Sequence, residues 1–449
     1  MPRWNQVFRT GIAAAAALAT SIRSSTLFAD VPTSAPAPSA WRSPDPAAVQ
    51  RWRDLRFGMF IHWGPVSQTG KEISWSRGTS TPVAVYDDLY KTFNPTRFNA
   101  DQWVSVAKSA GMKYVVLTCK HHDGFCLWDS KLTDYKITNT PFKRDVTREL
   151  ADACHRQGIA FGAYYSVCDW HHPDFPLTSP GGKTKRPTSD IEAYNRYLLG
   201  QVRELLTGYG PLVTIWNDVP QQFKGRGVRE IEMARDLQPD VLLNNRTGDG
   251  GDYDTPEQRV GKFDDQRPWE SCMTLSAHNH WAWGGDTDGV KPLKAVVDML
   301  VNCAGRDGNM MLNVGPEPTG VINAAQVDRL REMGTWVAKN GDSVYATRGG
   351  PWKPATDGSV VTTRHDRTIY VHVLKWPAPG DTVKLAPLGV PIHAAILLGG
   401  GPVKWDQPAL DRPVTLTVPA ADRSNLDTIV KLDLDGSAMA IRPIDPTKT

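Results

Sequence analysis

A strong charge of either sign is the first thing this chain lacks. Acidic and basic side chains nearly cancel across 449 residues, leaving a formal charge of +3. That gives no electrostatic case for nucleic acid or for an anionic membrane surface. Long apolar runs are missing as well. The best candidate, Gly11 to Ala19, is too short to span a bilayer, so no membrane insertion is expected. None of the six cysteines (119, 126, 154, 168, 272 and 303) forms a Cys-x-x-Cys pair, which argues against a zinc ribbon or a thioredoxin-type site. Buried free thiols are the default expectation for them.

What is present begins with a leader. Arg3 and Arg9 precede the apolar stretch, and small and polar residues follow as far as Ala29. This is the layout of a secretory signal peptide over residues 1–30. Residues 31–46, rich in Pro, Ala and Ser, read as a flexible leader. The mature protein is therefore expected to be exported, to a periplasm or outside the cell. Roughly 420 residues remain, more than one ordinary domain. Sixteen of the residues are Trp. Sugar rings present apolar faces that stack on aromatic side chains, so the excess leans toward a carbohydrate ligand.

A strand–helix alternation runs from about residue 55 to 340. Its apolar runs are Gly58-Met-Phe-Ile-His62, Lys113 to Thr118, Ala160 to Tyr165, Pro211 to Asp218, Val241 to Asn245, Trp269 to Leu275 and Met310 to Val314. Between them lie helical patterns, among them Tyr194, Leu198, Val202, Leu205 and Tyr209 on one face. The alternation predicts an α/β fold, a TIM-type (β/α)8-like barrel, over residues 47–343. After about residue 345 the helical period disappears. Short alternating runs such as Thr368 to Leu374 and Val414 to Val418 predict a C-terminal all-β sandwich over residues 344–449.

In a parallel barrel, chemistry collects where the strands end. Polar and aromatic residues do collect there: His62 and Trp63, His121-His122-Asp123, Tyr164 and Tyr165 with Asp169 and Trp170, Trp216 and Asp218, and Arg246. Glu270 lies in the sixth apolar run. Any one of these could be a hydrogen-bonded core residue or a loop cap. Six successive units delivering such residues to one rim are harder to explain that way. A carboxylate beside an indole at a strand end, as at Asp218, is how a glycoside-cleaving enzyme positions a nucleophile.

Phe60-Ile-His-Trp-Gly64, Lys120-His-His-Asp-Gly-Phe125, Tyr164-Tyr-Ser166, Trp216-Asn-Asp218 and Met311-Leu-Asn-Val-Gly-Pro316 resemble the signature blocks of the α-L-fucosidases of glycoside hydrolase family 29. The resemblance covers residues from about 50 to 345 in the right order. It implies an exo-acting, retaining hydrolysis of terminal α-L-fucose through a covalent fucosyl–enzyme intermediate, with no cofactor and no metal. The substrate would be a fucosylated oligosaccharide or glycoconjugate. On the matching positions, Asp218 is the nucleophile and Glu270, in Trp269-Glu-Ser-Cys, the acid/base. Glu257, Asp264 and Asp265 are competitors whose bland reading is a solvated acidic loop. His62, Trp75, His121, His122, Tyr165, Trp216 and Arg246 match positions that hold the sugar. Tyr164 and Tyr165 face opposite sides of one strand, and the match falls on Tyr165.

One departure stands out. Family members often carry a glutamate directly before the tryptophan matched by Trp75, where this chain has Ser74 in Glu72-Ile-Ser-Trp75. Either Glu72 takes over or the hydroxyl contact differs. The Gly/Asp-rich stretch after Arg246 resembles the branch that acts on branched α1,3/1,4-linked fucose. Two other readings stay open. A metal-dependent barrel hydrolase could draw ligands from His62, His121, His122, Asp123, Asp169, His171 and His172. However, adjacent histidines do not easily face one ion, and no His-Glu-x-x-His spacing occurs. A non-catalytic carbohydrate-binding protein could keep the pocket without turnover. Nothing in the chain marks an oligomeric state.

Overall fold

The structure is a computed structural model, described here for residues 42–180, 185–219, 226–377 and 380–446. The expected signal peptide, and the leader up to residue 41, lie outside the described residues. The end of that leader is tied down. Arg42 pairs with Asp236 at 2.6 Å and its N–H donates to Glu232 at 2.6 Å. Asp45 then caps a helix, Pro46–Leu55, with Pro46 in its first turn. Trp52 of that helix packs into the barrel interior, against Tyr253 at 4.5 Å between ring centroids, and so plugs the entry end of the barrel.

Seven parallel strands make the barrel wall: β1 (Phe57–Ile61), β2 (Tyr114–Lys120), β3 (Ala160–Ser166), β4 (Leu212–Asp218), β5 (Leu242–Leu243), β6 (Glu270–Thr274) and β7 (Asn309–Val314). They are ordered β5-β4-β3-β2-β1-β7-β6, which leaves a gap between β5 and β6. Residues 252–258 fill it. Asn245 N–H donates to the Tyr253 carbonyl on one side, while Glu270 N–H and Cys272 N–H donate to the Asp254 and Pro256 carbonyls on the other. All three bridges, Asn244 to Tyr253, Asp254 to Trp269 and Glu257 to Cys272, are parallel. The stretch that reads as a Gly/Asp-rich loop is therefore the stave that closes the sheet, with no helix of its own on either side.

The other staves follow the expected βα rhythm. β1, β2, β6 and β7 are buried throughout, as continuous apolar runs require when helices cover one face and the barrel interior the other. The helix Val146–Gln157 starts at the Asp145 side chain and stops at Gly158, whose φ of 70° is the left-handed cap that glycine favours. In the helix Ile191–Gly208, Tyr194, Leu198, Val202 and Leu205 are buried on one face, as their spacing predicts. No described helix is long and apolar enough to cross a membrane. All six cysteines are free and buried.

Beyond the last barrel helix, Ala324–Asn340, lie two antiparallel sheets. One has five strands, β8 (Arg348–Gly349), β9 (Val360–His365), β10 (Thr368–Val373), β12 (Ile392–Leu397) and β15 (Thr428–Leu434), in the order β12-β15-β10-β9-β8. The other has three, β11 (Thr382–Leu385), β13 (Lys404–Asp406) and β14 (Val414–Thr417), with β14 in the middle. Ile369, Val371, Val383, Leu416, Val430 and Leu432 form the sandwich core between them. The opposite face of the larger sheet, through Val361, Tyr370 and Ile429, joins the hydrophobic core of the barrel. Asp307, at the entry end, ties the two domains: it pairs with Arg53 at 2.6 Å and Arg56 at 2.5 Å and accepts from the Gly349 N–H at 3.2 Å.

Candidate active site

Asp218 is the last residue of β4, and its carboxylate is almost fully engaged. Oδ1 accepts from Arg246 Nη1 at 2.6 Å and from the Val219 N–H at 2.7 Å, while Oδ2 accepts from the Tyr164 hydroxyl at 2.7 Å. Val219 holds a left-handed φ of 48°, a costly conformation for a β-branched residue, and this turn brings its N–H onto the preceding carboxylate. Burial pushes the Asp218 carboxyl up, but Arg246, with the Tyr164 hydroxyl, holds it down at about 2. The group is an anion across the useful pH range, oriented by donors on three sides.

Arg246 follows β5 and reaches across the pocket mouth. Its Nη1 serves Asp218, and its Nη2 serves Glu257 Oε2 at 3.0 Å. Thr255 fixes the rest of the fork, its hydroxyl accepting from Nε at 2.9 Å and its carbonyl from Nη2 at 3.0 Å. Glu257 belongs to the closing stave and is 43% exposed, so one of the two carboxyls bridged by this guanidinium is mostly buried and the other faces solvent.

Three histidines line the opposite wall, each anchored through Nδ1. His62 bonds Asn313 Oδ1 at 2.6 Å, His121 bonds Ser74 Oγ at 2.6 Å, and His122 bonds Ser166 Oγ at 2.7 Å. The partners assign the tautomers. Asn313 donates its amide to the Trp281 carbonyl, so its oxygen takes the His62 proton and His62 Nε2 is left as an acceptor. Ser166 donates to the Cys168 carbonyl, so His122 Nε2 is also an acceptor. Ser74 Oγ accepts the Asp123 N–H, and His121 is the acceptor in reach of its own proton, so His121 Nε2 is a donor. Burial keeps the set neutral: His62 is lowered to about 3, His122 to about 4, and His121 well below its ordinary value. Two acceptors and one donor at fixed positions suit a polyol. His122 Nε2 stands 3.8 Å from Asp218 Oδ2, too far for a hydrogen bond and a place where a hydroxyl can fit.

Aromatic rings complete the pocket. Trp216 stacks on Tyr164 at 5.5 Å, and the Arg246 guanidinium lies 4.8 Å above the Trp216 ring. Trp75 is 43% exposed at the rim, edge-on to His122 at 5.3 Å and to Trp170 at 5.5 Å. Trp281 leans on His62 at 4.9 Å.

Of the residues singled out in the sequence, Asp218, His62, His121, His122, Trp216, Arg246 and Trp75 meet in this pocket. Two do not. Tyr165 faces outward to the helices, donating to Gln201 at 2.8 Å and accepting from Lys120 at 2.9 Å; its neighbour Tyr164 takes the pocket side. Glu270 is fully buried, and it opens β6 rather than ending it. In a parallel barrel that puts it at the entry end, under Trp216 and shut off from solvent. Glu72 is absent from the sugar wall too. Its carboxylate accepts the Ile73, Ala282 and Trp281 N–H groups at 3.0, 3.1 and 2.9 Å, and so holds the Trp281 loop. Glu257, Tyr164, Asn313 and Trp281 are the residues the sequence reading did not assign. Alternation offered a signal for Glu257, since Tyr253, Thr255 and Glu257 fall at strand spacing.

The adjacent histidines do converge, against expectation: His121, His122 and Asp218 offer ligand atoms within 4.8 Å of one another. A cation there would face the Arg246 guanidinium already bound to Asp218, an arrangement that suits a sugar hydroxyl better than a metal ion. His278 and His280, a His-x-His pair, are both turned to Asp288 at 3.0 and 3.5 Å instead.

The family model for alpha-L-fucosidase matches residues 28–342. The plasma alpha-L-fucosidase of Rattus norvegicus is 30% identical over 433 residues, covering 86% of this chain and 90% of the relative. An alpha-L-fucosidase of Branchiostoma floridae is 30% identical, covering 86% and 92%. Among solved structures, alpha-L-fucosidase isoenzyme 1 of Paenibacillus thiaminolyticus superposes with a TM-score of 0.78 at 35% identity, covering 86% of this chain and 99% of the other. A Bacteroides thetaiotaomicron alpha-L-fucosidase, solved as a trapped covalent intermediate with 2-fluoro-fucosyl fluoride, superposes with a TM-score of 0.78 at 28% identity, covering 88% and 97%. With its barrel, its β-sandwich and a carboxylate pocket at the strand ends, the chain belongs to the α-L-fucosidase family of glycoside hydrolases, family 29.

Proposed function

We propose that this protein is an exo-acting, retaining α-L-fucosidase in which Asp218 is the nucleophile and Glu257 the acid/base. The observation that carries the assignment is the Arg246 guanidinium, which touches both carboxyls, at 2.6 and 3.0 Å. Retaining enzymes hold their two carboxyls about 5–5.5 Å apart, and a single guanidinium fork fits a pair of that spacing. Asp218, ionised and held by donors, attacks the anomeric carbon. Glu257, on the solvent side, protonates the departing oxygen and then takes a proton from the water that releases fucose. The three neutral histidines hold the hydroxyls, and Trp75 and Trp281 cover the apolar face and the methyl group, with Trp216 beneath Tyr164 and Arg246.

Azide separates the two carboxyls. Asp218→Ala should abolish turnover of 4-nitrophenyl α-L-fucoside, and azide should restore it with β-fucosyl azide as the product, because attack without the enzyme nucleophile inverts. Glu257→Ala should lose fucosyl disaccharides far more than the activated aryl fucoside, and azide should then give the α product. An unchanged rate in either variant sinks that assignment. Activity that disappears with a chelator would favour the metal-dependent reading, and fucose binding without turnover in the unaltered protein would favour the carbohydrate-binding one.

The preference for branched α1,3/1,4-linked fucose is proposed on the closing stave, which resembles that branch and carries Glu257 toward the leaving group. Hydrolysis rates on linear and branched fucosylated oligosaccharides compare the two. Export is proposed on Arg3, Arg9 and the apolar stretch to Ala19, and a relative named for plasma is consistent with it. N-terminal sequencing of secreted protein tests it.

A further inference from the structure

Glu270 is a carboxyl in the dry interior, far from the departing oxygen and in no ion pair among the described residues. Both of its oxygens are nevertheless used. Trp216 Nε1 donates to Oε1 at 3.1 Å, and the Tyr114 hydroxyl donates to Oε2 in a short contact. The fold reserves space for the second partner: a Cβ on Gly58 would lie 2.4 Å from the Tyr114 ring. Trp216 in turn supports the two groups that orient the nucleophile. Its ring stacks on Tyr164 at 5.5 Å and 16°, and it lies 4.8 Å beneath the Arg246 guanidinium. Phe60, at 5.3 Å, limits the remaining side.

We propose that Glu270 is a positioning residue: it sets the tilt of the Trp216 indole, and through that ring it places Tyr164 and Arg246 on Asp218. An indole N–H in a dry core strongly favours the orientation that satisfies it, and here Glu270 is its acceptor. Without that acceptor the ring is free to rotate in its slot, and both donors to Asp218 shift with the surface they rest on. Burial, with no counter-charge at hand, raises the Glu270 carboxyl to about 7, and the two donors, Tyr114 and Trp216, work against that rise.

The proposal rests on Asp218 and Glu257 being the reacting pair, and the test separates the two. Glu270→Gln keeps an oxygen for the indole, whereas Glu270→Leu removes it. Both variants are counted by stoichiometric trapping with 2-fluoro-fucosyl fluoride, so that rates refer to folded sites. Glu270→Leu should lower kcat about 10- to 100-fold, the scale of a reacting group displaced by about an ångström. The loss should be equal on 4-nitrophenyl α-L-fucoside and on a fucosyl disaccharide, with KM little changed and no rescue by azide. Glu270→Gln should recover most of that loss. If Glu270→Leu does not fold, Trp216→Phe, which removes the same N–H, should show the same leaving-group-independent loss, and combining it with Glu270→Gln should add nothing further. Wild-type kcat per trappable site in Glu270→Leu would overturn the positioning assignment and leave the reacting pair intact. Selective loss of the disaccharide in Glu270→Gln, with azide rescue to the α product, would overturn it by making Glu270 the proton donor. An unaffected Glu257→Ala would overturn the reacting pair itself.

Discussion

Individual side chains in this pocket divide by charge. Asp218 is kept ionised by a guanidinium and a hydroxyl, while the three histidines beside it are kept neutral by burial. The acid side of the pH–rate profile should therefore come from His122. Its pKa near 4 means that it takes a proton below about pH 4, loses its acceptor lone pair and places a cation 3.8 Å from Asp218, the proposed nucleophile. The kcat/KM for 4-nitrophenyl α-L-fucoside should hold level down to about pH 5 and fall below it; a fall centred between pH 6 and 7 would show that the histidines titrate as if exposed. Glu270 gives a second pH dependence, this time in stability. Its carboxyl is raised in the fold from 4.5 to about 7, so its contribution is fully present below pH 4.5 and is lost as pH rises through 7. Glu270→Gln removes that loss. The melting temperature of the variant relative to wild type should climb between pH 4.5 and pH 7 and then level off, by an amount equivalent to about 2–4 kcal/mol. A flat difference would mean that the carboxyl is not buried as described.

Strands and their ends decide which residues could be found without a structure. Asp218 was legible because an apolar run stops at it, and a strand end in a parallel barrel is where substrates sit. Glu270 is also a carboxylate close behind a tryptophan, Trp269, but there the apolar residues come after it. It begins its strand, which inverts its position in the barrel. Tyr164 and Tyr165 illustrate the period of two: the family match fell on Tyr165, and the pleat turns Tyr164 to the pocket instead. The closing stave was hidden by its composition, since glycine and aspartate read as loop and Pro256 discourages a strand. The loop carrying Trp281 was hidden for another reason. Its position depends on Glu72, more than two hundred residues earlier, whose carboxylate takes three backbone N–H groups. Glu72→Ala should leave two of those donors unpaired in the Trp281 loop. A stability loss of about 1–3 kcal/mol should follow, with a several-fold rise in KM and a kcat close to wild type. Thermal melting and steady-state kinetics together check it, and a changed kcat with unchanged KM would contradict the proposed place of Trp281 in the sugar wall.

Across the molecule, one face of the sandwich joins the hydrophobic core of the barrel, and one buried charge cluster ties the two. Asp307 satisfies two arginines, one of them fully buried, and also a backbone N–H of β8. Removing it leaves guanidinium charge without a partner in the interior. Asp307→Ala should cost about 3–5 kcal/mol and lower the melting temperature by several degrees. Because the cluster lies at the entry end of the barrel, kcat measured well below the melting temperature should be unchanged. A loss of kcat at low temperature would instead show that the two ends of the barrel communicate. The two-domain plan was legible from the change of period near residue 345. The junction was not, because it depends on single residues such as Arg56, Asp307 and Gly349 that have no periodicity to reveal them.

Arg246 has a consequence for the order of events in the proposed cycle. The proposed cycle requires an anion on Asp218 and a proton on Glu257 when the glycosidic bond breaks, and the guanidinium touches both groups. Forming the fucosyl ester removes the charge from Asp218 in the same step that takes the proton from Glu257. The anion thus passes from one arm of the guanidinium to the other, 2.6 and 3.0 Å away. The sum over the three groups is zero before and after, so neither half of the cycle has to recruit a counter-ion from solvent. The water that completes the cycle meets Glu257 already charged and ready to accept its proton.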